Sequence, residues 1–238
     1  MLEAVFIDFW NTLFVSSVHV DEYFRVRAVK LFEVYRRSGC DLSLDFVHDT
    51  LLRARRLCDA ARKTGLEVPL NLELNVMNSM MNLFDLDADV FRALEEAYLY
   101  PLLNLTAPRK GSDVFISALK DMGLKLGLIS NTFCGRDIVD GLRRWSLYDY
   151  FDVLVFSSDL GLRKPRGEIF QYGLLSLRVK PENAVMIGDD FEADIRGATD
   201  LGMRALWLSD AVSDYPYTVR DFQSALSYIK GWVSDSMD

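Results

Sequence analysis

The chain has 238 residues, of which 50% are hydrophobic and 26% charged, a composition that excludes a disordered protein. Its formal net charge of −8 argues against a nucleic-acid partner, because binding to a phosphate backbone needs clustered positive charge. No apolar run approaches the roughly 18 residues that span a membrane, so no membrane association is expected. The N-terminus lacks the basic segment of a signal peptide, and the three cysteines lack disulfide or metal-ligand spacing. We therefore expect a cytoplasmic protein with reduced thiols.

The first predicted element is a strand at residues 4–9, a short apolar run that contains Asp8. Residues 18–100 then have apolar residues at helical spacing, which predicts a small bundle of four helices joined by short loops. These helices are predicted at residues 20–39, 43–65, 71–84 and 87–100. Transitions between the bundle and the rest of the chain are expected near 14–18 and near 100–110, the latter holding Pro101 and Pro108.

Strands and helices alternate through the rest of the chain. Strands are predicted at residues 125–130, 152–158, 184–189 and 204–209, and helices at 111–123, 135–147, 167–179, 192–202 and 219–233. This alternation predicts an α/β fold, a doubly wound, parallel, Rossmann-like sheet with the α-helical bundle inserted after the first strand. The expected domains are an α/β core at 1–14 and 106–238 and a helical domain at 15–105.

Polar side chains stand at the carboxyl ends of the predicted strands, where parallel α/β sheets bind their ligands. Asp8 ends the first strand. Ser130 and Asn131 end the second core strand, where a hydroxyl and backbone N–H groups can hold an anion.

Two further segments add charge. Lys164 comes just before a proline that opens a predicted helix, where an anion is favoured. Asp189, Asp190 and Asp194 follow the strand at 184–189. Carboxylates clustered at a strand end suit a hard cation such as Mg²⁺.

Four motifs, "DFWNT", "SNT", "KP" and "GDDFEAD", resemble in type and order those of the haloacid dehalogenase superfamily, most of whose members are phosphatases. The resemblance covers residues 1–14 and about 106–210. The helical insert after the first motif is similar to the cap domain that is common in this family. The resemblance implies a Mg²⁺-dependent phosphatase that acts on a small phosphorylated substrate.

The resemblance also implies a role for each motif residue. Asp8 would be the nucleophile that forms an aspartyl-phosphate. Ser130 and Asn131 would bind the transferring phosphoryl group. Lys164 would neutralise charge near Asp8 and the phosphoryl oxygens.

The metal ligands implied by the resemblance are the carboxylates of Asp8 and Asp189 and the main-chain carbonyl of Trp10. Asp194 would support this site from outside the ligand set, through water or through Lys164.

Trp10 departs from the family pattern, which usually has an aspartate two residues after the nucleophile. In the family that aspartate protonates the leaving oxygen and then activates the attacking water. An indole N–H is a donor that does not titrate usefully, and loss of a general acid–base costs on the order of 10²–10⁴ in rate. We therefore expect slow or leaving-group-limited turnover, with Trp10 as an aromatic wall of the substrate pocket.

Two other functions stay open. A metal-independent 2-haloacid dehalogenase would have an aromatic residue, tyrosine, at the position of Trp10, and Arg36 and Arg37 could bind the substrate carboxylate. Against this function, "GDDFEAD" keeps the metal-type aspartate. The third function is a non-catalytic module that binds a phosphate ligand. The sequence predicts neither the substrate nor the oligomeric state.

Overall fold

The computed structural model of the protein describes residues 1–234, which form two compact units. The core unit comprises Met1–Val15 and the chain from Pro108 onward, and the helical unit comprises Ser16–Ala107. Among the described residues, no helix has both the length and the apolar character needed to cross a membrane.

The strands come first because they position the candidate site. In chain order they are β1 (Ala4–Ile7), β2 (Phe14–Ser16), β3 (Thr106–Pro108), β4 (Lys125–Ser130), β5 (Val153–Phe156), β6 (Ala184–Gly188), β7 (Arg204–Leu208) and β8 (Thr218–Val219). Six of them form one sheet in the order β5-β4-β1-β6-β7-β8, with every pair parallel. The chain fills one side of β1 and then the other, so the strand order reverses beside β1. Such a reversal opens a crevice at the carboxyl ends of the strands.

Helices cover this sheet and bury its strands on both faces. They are α5 (Ser112–Asp121), α6 (Gly135–Arg144), α7 (Ser157–Leu160), α8 (Gly167–Leu177), α9 (Gly197–Thr199) and α10 (Phe222–Ser234), with a π-helical turn at Phe191–Arg196. Every residue of β1 and β6 is buried, as expected for parallel strands with helices on both faces. Phe6 of β1 belongs to the same buried apolar cluster as Phe170 of α8. On α5 and α10, Phe115 and Phe222 stack with ring centroids 4.5 Å apart.

The helical unit is built from α1 (Val20–Arg37), α2 (Leu44–Arg62), α3 (Leu70–Met80) and α4 (Ala88–Asn104). The hydroxyl of Ser43 accepts a hydrogen bond from the Phe46 N–H at 3.2 Å and caps α2, as its position before the helix predicts. The chain leaves the core unit along β2 and returns along β3, and these two strands form a separate two-stranded sheet.

The predicted fold class, an α/β protein with a parallel sheet and many helices, is confirmed. Two helix predictions are wrong in their bounds or type, and three strands were not predicted. The last helix of the bundle, predicted to end at residue 100, continues to Asn104, and the Pro101 carbonyl accepts a hydrogen bond from the Leu105 N–H at 2.8 Å. A proline lacks its own N–H and its ring crowds the carbonyl four residues earlier, but near a helix end both costs fall on a single turn. The predicted helix at 192–202 is a π-helical turn at Phe191–Arg196 followed by the short α9, and the strands that were not predicted are β2, β3 and β8.

Candidate active site

Asp8 lies at the centre of the candidate site. It directly follows β1, and its backbone N–H donates to the Ile187 carbonyl of β6 at 2.9 Å, so the sheet holds it in place. Its side chain is 8% exposed and accepts a hydrogen bond from Lys164 at 2.6 Å. The structure thus brings together the two residues that the sequence predicted as nucleophile and charge-neutralising group, which are 156 positions apart.

The Lys164 side chain is buried, and its ammonium has three oxygen atoms close to it. It lies 2.6 Å from the carboxylates of Asp8 and Asp194 and 2.6 Å from the Ile129 carbonyl. Asn131 holds the backbone of this lysine, because its side chain accepts from the Lys164 N–H at 2.8 Å and donates to the Lys164 carbonyl at 3.0 Å. These two bonds use the Asn131 side-chain oxygen and one of its two amide N–H donors, so the second amide N–H and the backbone N–H are the groups that Asn131 can offer to an anion.

Three carboxylates, Asp8, Asp189 and Asp194, converge here and are called the acid cluster below. One ligand atom of each lies within 4.8 Å of the others, which makes the cluster a potential metal site. Asp194 can approach so closely because residue 188 is glycine: a β-carbon on Gly188 would overlap the Asp194 carboxylate. The glycine of "GDDFEAD" thus has a steric reason to precede its aspartates.

All three carboxylates of the acid cluster have raised pKa values. Burial raises the pKa of Asp8 to about 6 and the pKa of Asp194 to about 7, although Lys164 opposes both shifts. Burial and the charge of Asp194 also raise the pKa of Asp189. One ammonium faces three carboxylates, so the cluster favours either added protons or a bound cation.

Ser130 adds an unmet hydrogen-bonding group at the end of β4. The residue is completely buried, and its Oγ has no hydrogen-bond partner among residues 1–234. A buried hydroxyl without a partner is costly, so such an atom calls for a specific explanation. An oxygen of a bound phosphoryl group would supply the missing partner.

Trp10 is half-buried next to this cluster, with its ring edge-on to Phe9 at a centroid distance of 5.4 Å. Two of the carboxylates that follow β6 are engaged in local contacts. Asp194 is tied to Lys164, and the Asp190 carboxylate accepts hydrogen bonds from the N–H groups of Glu192 and Ala193 at 3.0 Å, which caps the π-helical turn.

Sequence reasoning missed two residues that shape the loop after Asp8. The Thr12 hydroxyl donates to the Asp189 carboxylate at 3.3 Å, and the Arg109 guanidinium donates to the Thr12 carbonyl at 2.9 Å and to the Asn11 carbonyl. Thr12 lies inside the "DFWNT" motif and could have been given a role. Arg109 lies 97 positions away, and no pattern in the sequence connects it to this loop.

An open pocket of about 250 Å³ lies beside Asp189. Its walls are formed by Asn11, Arg109, Asp189, Leu208, Ser209, Asp210 and Arg220. Because Asp189 borders open space, its placement depends on specific hydrogen bonds more than on tight packing.

Comparison with known sequences identifies one family. Residues 2–202 match the family described as haloacid dehalogenase-like hydrolase. A glyceraldehyde 3-phosphate phosphatase of Methanothermobacter thermautotrophicus is 36% identical over 224 residues, which are 90% of this chain and 88% of that protein. Two other curated relatives match this chain over only 51% and 54% of their own length.

Solved structures share the fold across two chemistries. The crystal structure of a haloacid dehalogenase-type phosphatase from Thermococcus onnurineus superposes with a TM-score of 0.72, at 23% identity over 96% of this chain and 98% of that one. A 2-haloacid dehalogenase from Pseudomonas syringae pv. tomato also gives 0.72, at 19% identity over 98% of this chain and 100% of that one. The fold therefore does not distinguish a phosphatase from a dehalogenase, and the side chains must.

Proposed function

The chain belongs to the haloacid dehalogenase-like hydrolases, and we propose that it is a Mg²⁺-dependent phosphatase of small phosphomonoesters that works through an aspartyl-phosphate on Asp8. The Methanothermobacter thermautotrophicus relative, which matches 90% of the chain, is named a glyceraldehyde 3-phosphate phosphatase. That name supports the reaction class, and the residues of the acid cluster support the cofactor.

The observation that carries the proposal is the excess of negative charge in the acid cluster. Three carboxylates lie within 4.8 Å of one another, and the Lys164 ammonium is paired with two of them, Asp8 and Asp194. Oxygen ligands of this kind suit Mg²⁺. Asp8, Asp189 and the main-chain carbonyl of Trp10 would hold the ion, whereas Asp194 is committed to Lys164 and to the Asp190 N–H. When bound, Mg²⁺ would supply positive charge against the phosphoryl oxygens.

The chain's own residues account for the first chemical step. The Asp8 carboxylate attacks phosphorus, the bond to the leaving oxygen breaks, and the phosphoryl group is carried on Asp8. Lys164, 2.6 Å from the nucleophile, orients the carboxylate and opposes the phosphoryl charge. The Ser130 hydroxyl donates to a phosphoryl oxygen and gains the partner that it lacks in the free protein.

Trp10 limits both halves of the reaction in this proposal. It cannot protonate the leaving oxygen, so substrates whose leaving group departs as a stable anion are favoured. It also cannot remove a proton from the water that hydrolyses the aspartyl-phosphate. The indole would instead form an aromatic wall against the bound substrate.

A metal-independent dehalogenase is less well supported. Its substrate carboxylate would need a cation, and the candidates from the sequence, Arg36 and Arg37, are exposed in the last turn of α1. Basic residues are favoured at that position by the helix dipole alone. The acid cluster, with its excess negative charge, would repel a carboxylate substrate unless a cation were bound.

The test is hydrolysis of p-nitrophenyl phosphate with Mg²⁺ and with EDTA, for the wild type and for Asp8→Asn. We expect Mg²⁺-dependent turnover that EDTA abolishes and that Asp8→Asn lacks. Acid quenching followed by mass spectrometry should detect a phosphoryl adduct on Asp8 in the wild type. Asp113→Asn, the same chemical change at an exposed site on α5, is the matched control and should leave turnover unchanged.

Three outcomes would count against the proposal. Turnover that persists in EDTA would remove the metal from the reaction. No turnover of any phosphomonoester, together with release of chloride from 2-chloropropionate, would favour the dehalogenase. Binding of inorganic phosphate without turnover of either substrate would favour a ligand-binding module.

A further inference from the structure

A hydrogen bond from outside the four motifs holds the metal-type aspartate. The Trp207 Nε1–H donates to the main-chain carbonyl of Asp189 at 2.8 Å. Strand register explains how the indole reaches this carbonyl, because Trp207 on β7 is the direct partner of Gly188 at the end of β6. The side chain of Trp207 therefore lies next to the point where the chain leaves the sheet and enters the Asp189 loop.

The same peptide group is held from its other side. The N–H of Asp190, which belongs to the peptide bond that carries the Asp189 carbonyl, donates to the Asp194 carboxylate at 3.1 Å. Both polar atoms of the peptide between residues 189 and 190 are thus fixed, one by Trp207 and one by Asp194. Fixing this peptide plane restricts the direction in which the Asp189 side chain leaves the backbone.

Aromatic packing braces the indole. The ring of Phe191, at the start of the π-helical turn, lies edge-on to Trp207 with centroids 5.0 Å apart. Tyr215 packs edge-on against Phe191 at 5.5 Å and donates its hydroxyl to the Ala205 carbonyl of β7 at 3.0 Å. Trp207, Phe191 and Tyr215 form a bracket, anchored on β7, that spans the loop carrying Asp189.

We infer that Trp207 is a positioning residue for the metal site: its indole N–H fixes the Asp189 loop, and so sets the affinity of the acid cluster for Mg²⁺. The inference rests on the proposed function, since it takes Asp189 as a metal ligand. The open pocket beside Asp189 leaves the loop room to shift, so the hydrogen bond has a task that packing does not already perform. Groups that orient metal ligands in this way typically change metal affinity 10–100-fold when they are removed.

The test measures Mg²⁺ binding by calorimetry on the whole protein, without substrate. Trp207→Phe keeps an aromatic ring in the bracket and removes the donor. We expect its dissociation constant for Mg²⁺ to rise about tenfold. The value of kcat at saturating Mg²⁺ should stay near that of the wild type, because a bound ion restores the geometry of Asp189. Trp145→Phe, the same change at an indole-bearing side chain that is 48% exposed on the surface, is the matched control.

A merely structural role would have a different signature. It would lower the urea midpoint of the metal-free protein and leave the Mg²⁺ dissociation constant unchanged, which would overturn the inference. Should Trp207→Phe fail to fold, replacement of Trp207 by benzothienylalanine decides, because this isostere keeps the bicyclic ring that packs on Phe191 and lacks the N–H donor. A several-fold weaker Mg²⁺ affinity in that variant supports the inference, and an unchanged affinity overturns it. Absence of Mg²⁺ binding by the wild type would overturn the proposed function itself, and the role of Trp207 with it.

Discussion

Both units of the protein bury a cluster of charged side chains, and the two clusters differ in how the buried charges are compensated. In the helical unit Arg62 is the centre: it donates to Glu73 at 2.6 Å, to Asp59 at 2.8 Å and to Glu67 at 3.2 Å. Arg55 adds a second cation near Asp59 and Glu73, and the Tyr98 hydroxyl donates to Glu73. We call these residues the Arg62 cluster.

The two clusters differ in the number of hydrogen-bond donors available to their carboxylates. The Arg62 cluster has two guanidinium groups and a phenol for three carboxylates, and one of these, Asp59, is 44% exposed to water. Burial alone would lower the pKa of Arg62, yet Glu73 and Asp59 raise it above its ordinary value. In the acid cluster one ammonium, that of Lys164, lies near three carboxylates. Burial raises the pKa values of Asp8 and Asp194 by more than Lys164 lowers them, so both values rise.

The comparison teaches that buried charge does not by itself mark a functional site. A network whose charges are met inside the protein specifies a fold. A network with carboxylates in excess and an unpartnered hydroxyl is completed only by something from outside. If this distinction holds, matched substitutions in the two clusters should have opposite consequences for activity and stability.

The largest effect is expected for Lys164→Met. Removing the ammonium leaves Asp8 without the group that orients it and opposes the phosphoryl charge, so kcat should fall on the order of 10³ or more. Stability should suffer less than activity, because the raised pKa values of Asp8 and Asp194 allow protons to replace the lost cation. Steady-state kinetics and urea unfolding of the same samples give both quantities. Lys180→Met, at an exposed lysine of the core unit, is the control, and retention of activity in Lys164→Met would contradict the role assigned to Lys164.

Arg62→Met is the counterpart in the helical unit. It leaves Glu73 and Glu67 buried with too few donors, and breaking a buried ion pair from one side typically costs about 3–5 kcal/mol. The loss should appear in urea unfolding, while kcat of the folded protein at low temperature changes little. Arg53→Met, at an exposed arginine on the same helix, should change neither quantity. A destabilisation no larger than that of the control would mean that the Arg62 cluster contributes nothing that packing does not.

The acid cluster could be predicted from the sequence in part, whereas the Arg62 cluster could not. Asp8, Ser130 and Asp189 were located because short apolar runs reveal buried strands, and ligands gather where such strands end. Asp194 was expected to act either through water or through Lys164, and in the structure it forms a direct ion pair of 2.6 Å with Lys164. These predictions depend on backbone topology, which local patterns determine well.

Contacts between side chains far apart in the sequence were beyond prediction. The Arg62 cluster looked like ordinary helical sequence, because its arginines and glutamates occur at spacings also found on solvated helix faces. Trp207 was part of an apolar run, and nothing local reveals that its N–H meets the Asp189 carbonyl. The hydrogen bonds between the Asn131 side chain and the Lys164 backbone were likewise not predicted, and the phosphate-binding role of Asn131 stays a prediction. Such pairings are fixed by strand register and loop geometry, which a single sequence does not specify.

Trp10→Asp tests the chemistry of the acid cluster with a smaller expected effect. Restoring a carboxyl group two residues after the nucleophile should raise turnover of alkyl phosphates about 10–100-fold, part of the 10²–10⁴ that a general acid–base supplies. Aryl phosphates, whose leaving groups need less protonation, should gain less. Trp10→Asn is the control, because asparagine has nearly the same shape as aspartate and cannot titrate. Equal gains in both variants would assign the effect to space in the pocket and not to proton transfer.

The smallest expected effect is a pH dependence of stability in the metal-free protein. The pKa of Asp8 is raised from 3.8 to about 6, and that of Asp194 from 3.8 to about 7, so between pH 4 and 7 the folded protein binds more protons than the unfolded chain. The free energy of unfolding that these groups contribute is therefore present at low pH and is lost as the pH rises through 6 and 7. The pKa of Lys164 is raised above 10.5, so the lysine does not titrate in this window.

Mg²⁺ should reverse this trend, because protons and the ion compete for the same carboxylates. Added Mg²⁺ is expected to raise the thermal midpoint more at pH 8 than at pH 5, through binding to the folded state alone. Asp8→Asn distinguishes titration of the acid cluster from general effects of acid on the protein. The substitution removes one of the two titrating carboxylates and nearly preserves the shape of the side chain. Its metal-free stability should fall less steeply between pH 5 and 7 than that of the wild type. Identical slopes in urea unfolding would show that the charge excess at Asp8 is not what distinguishes the acid cluster from the Arg62 cluster.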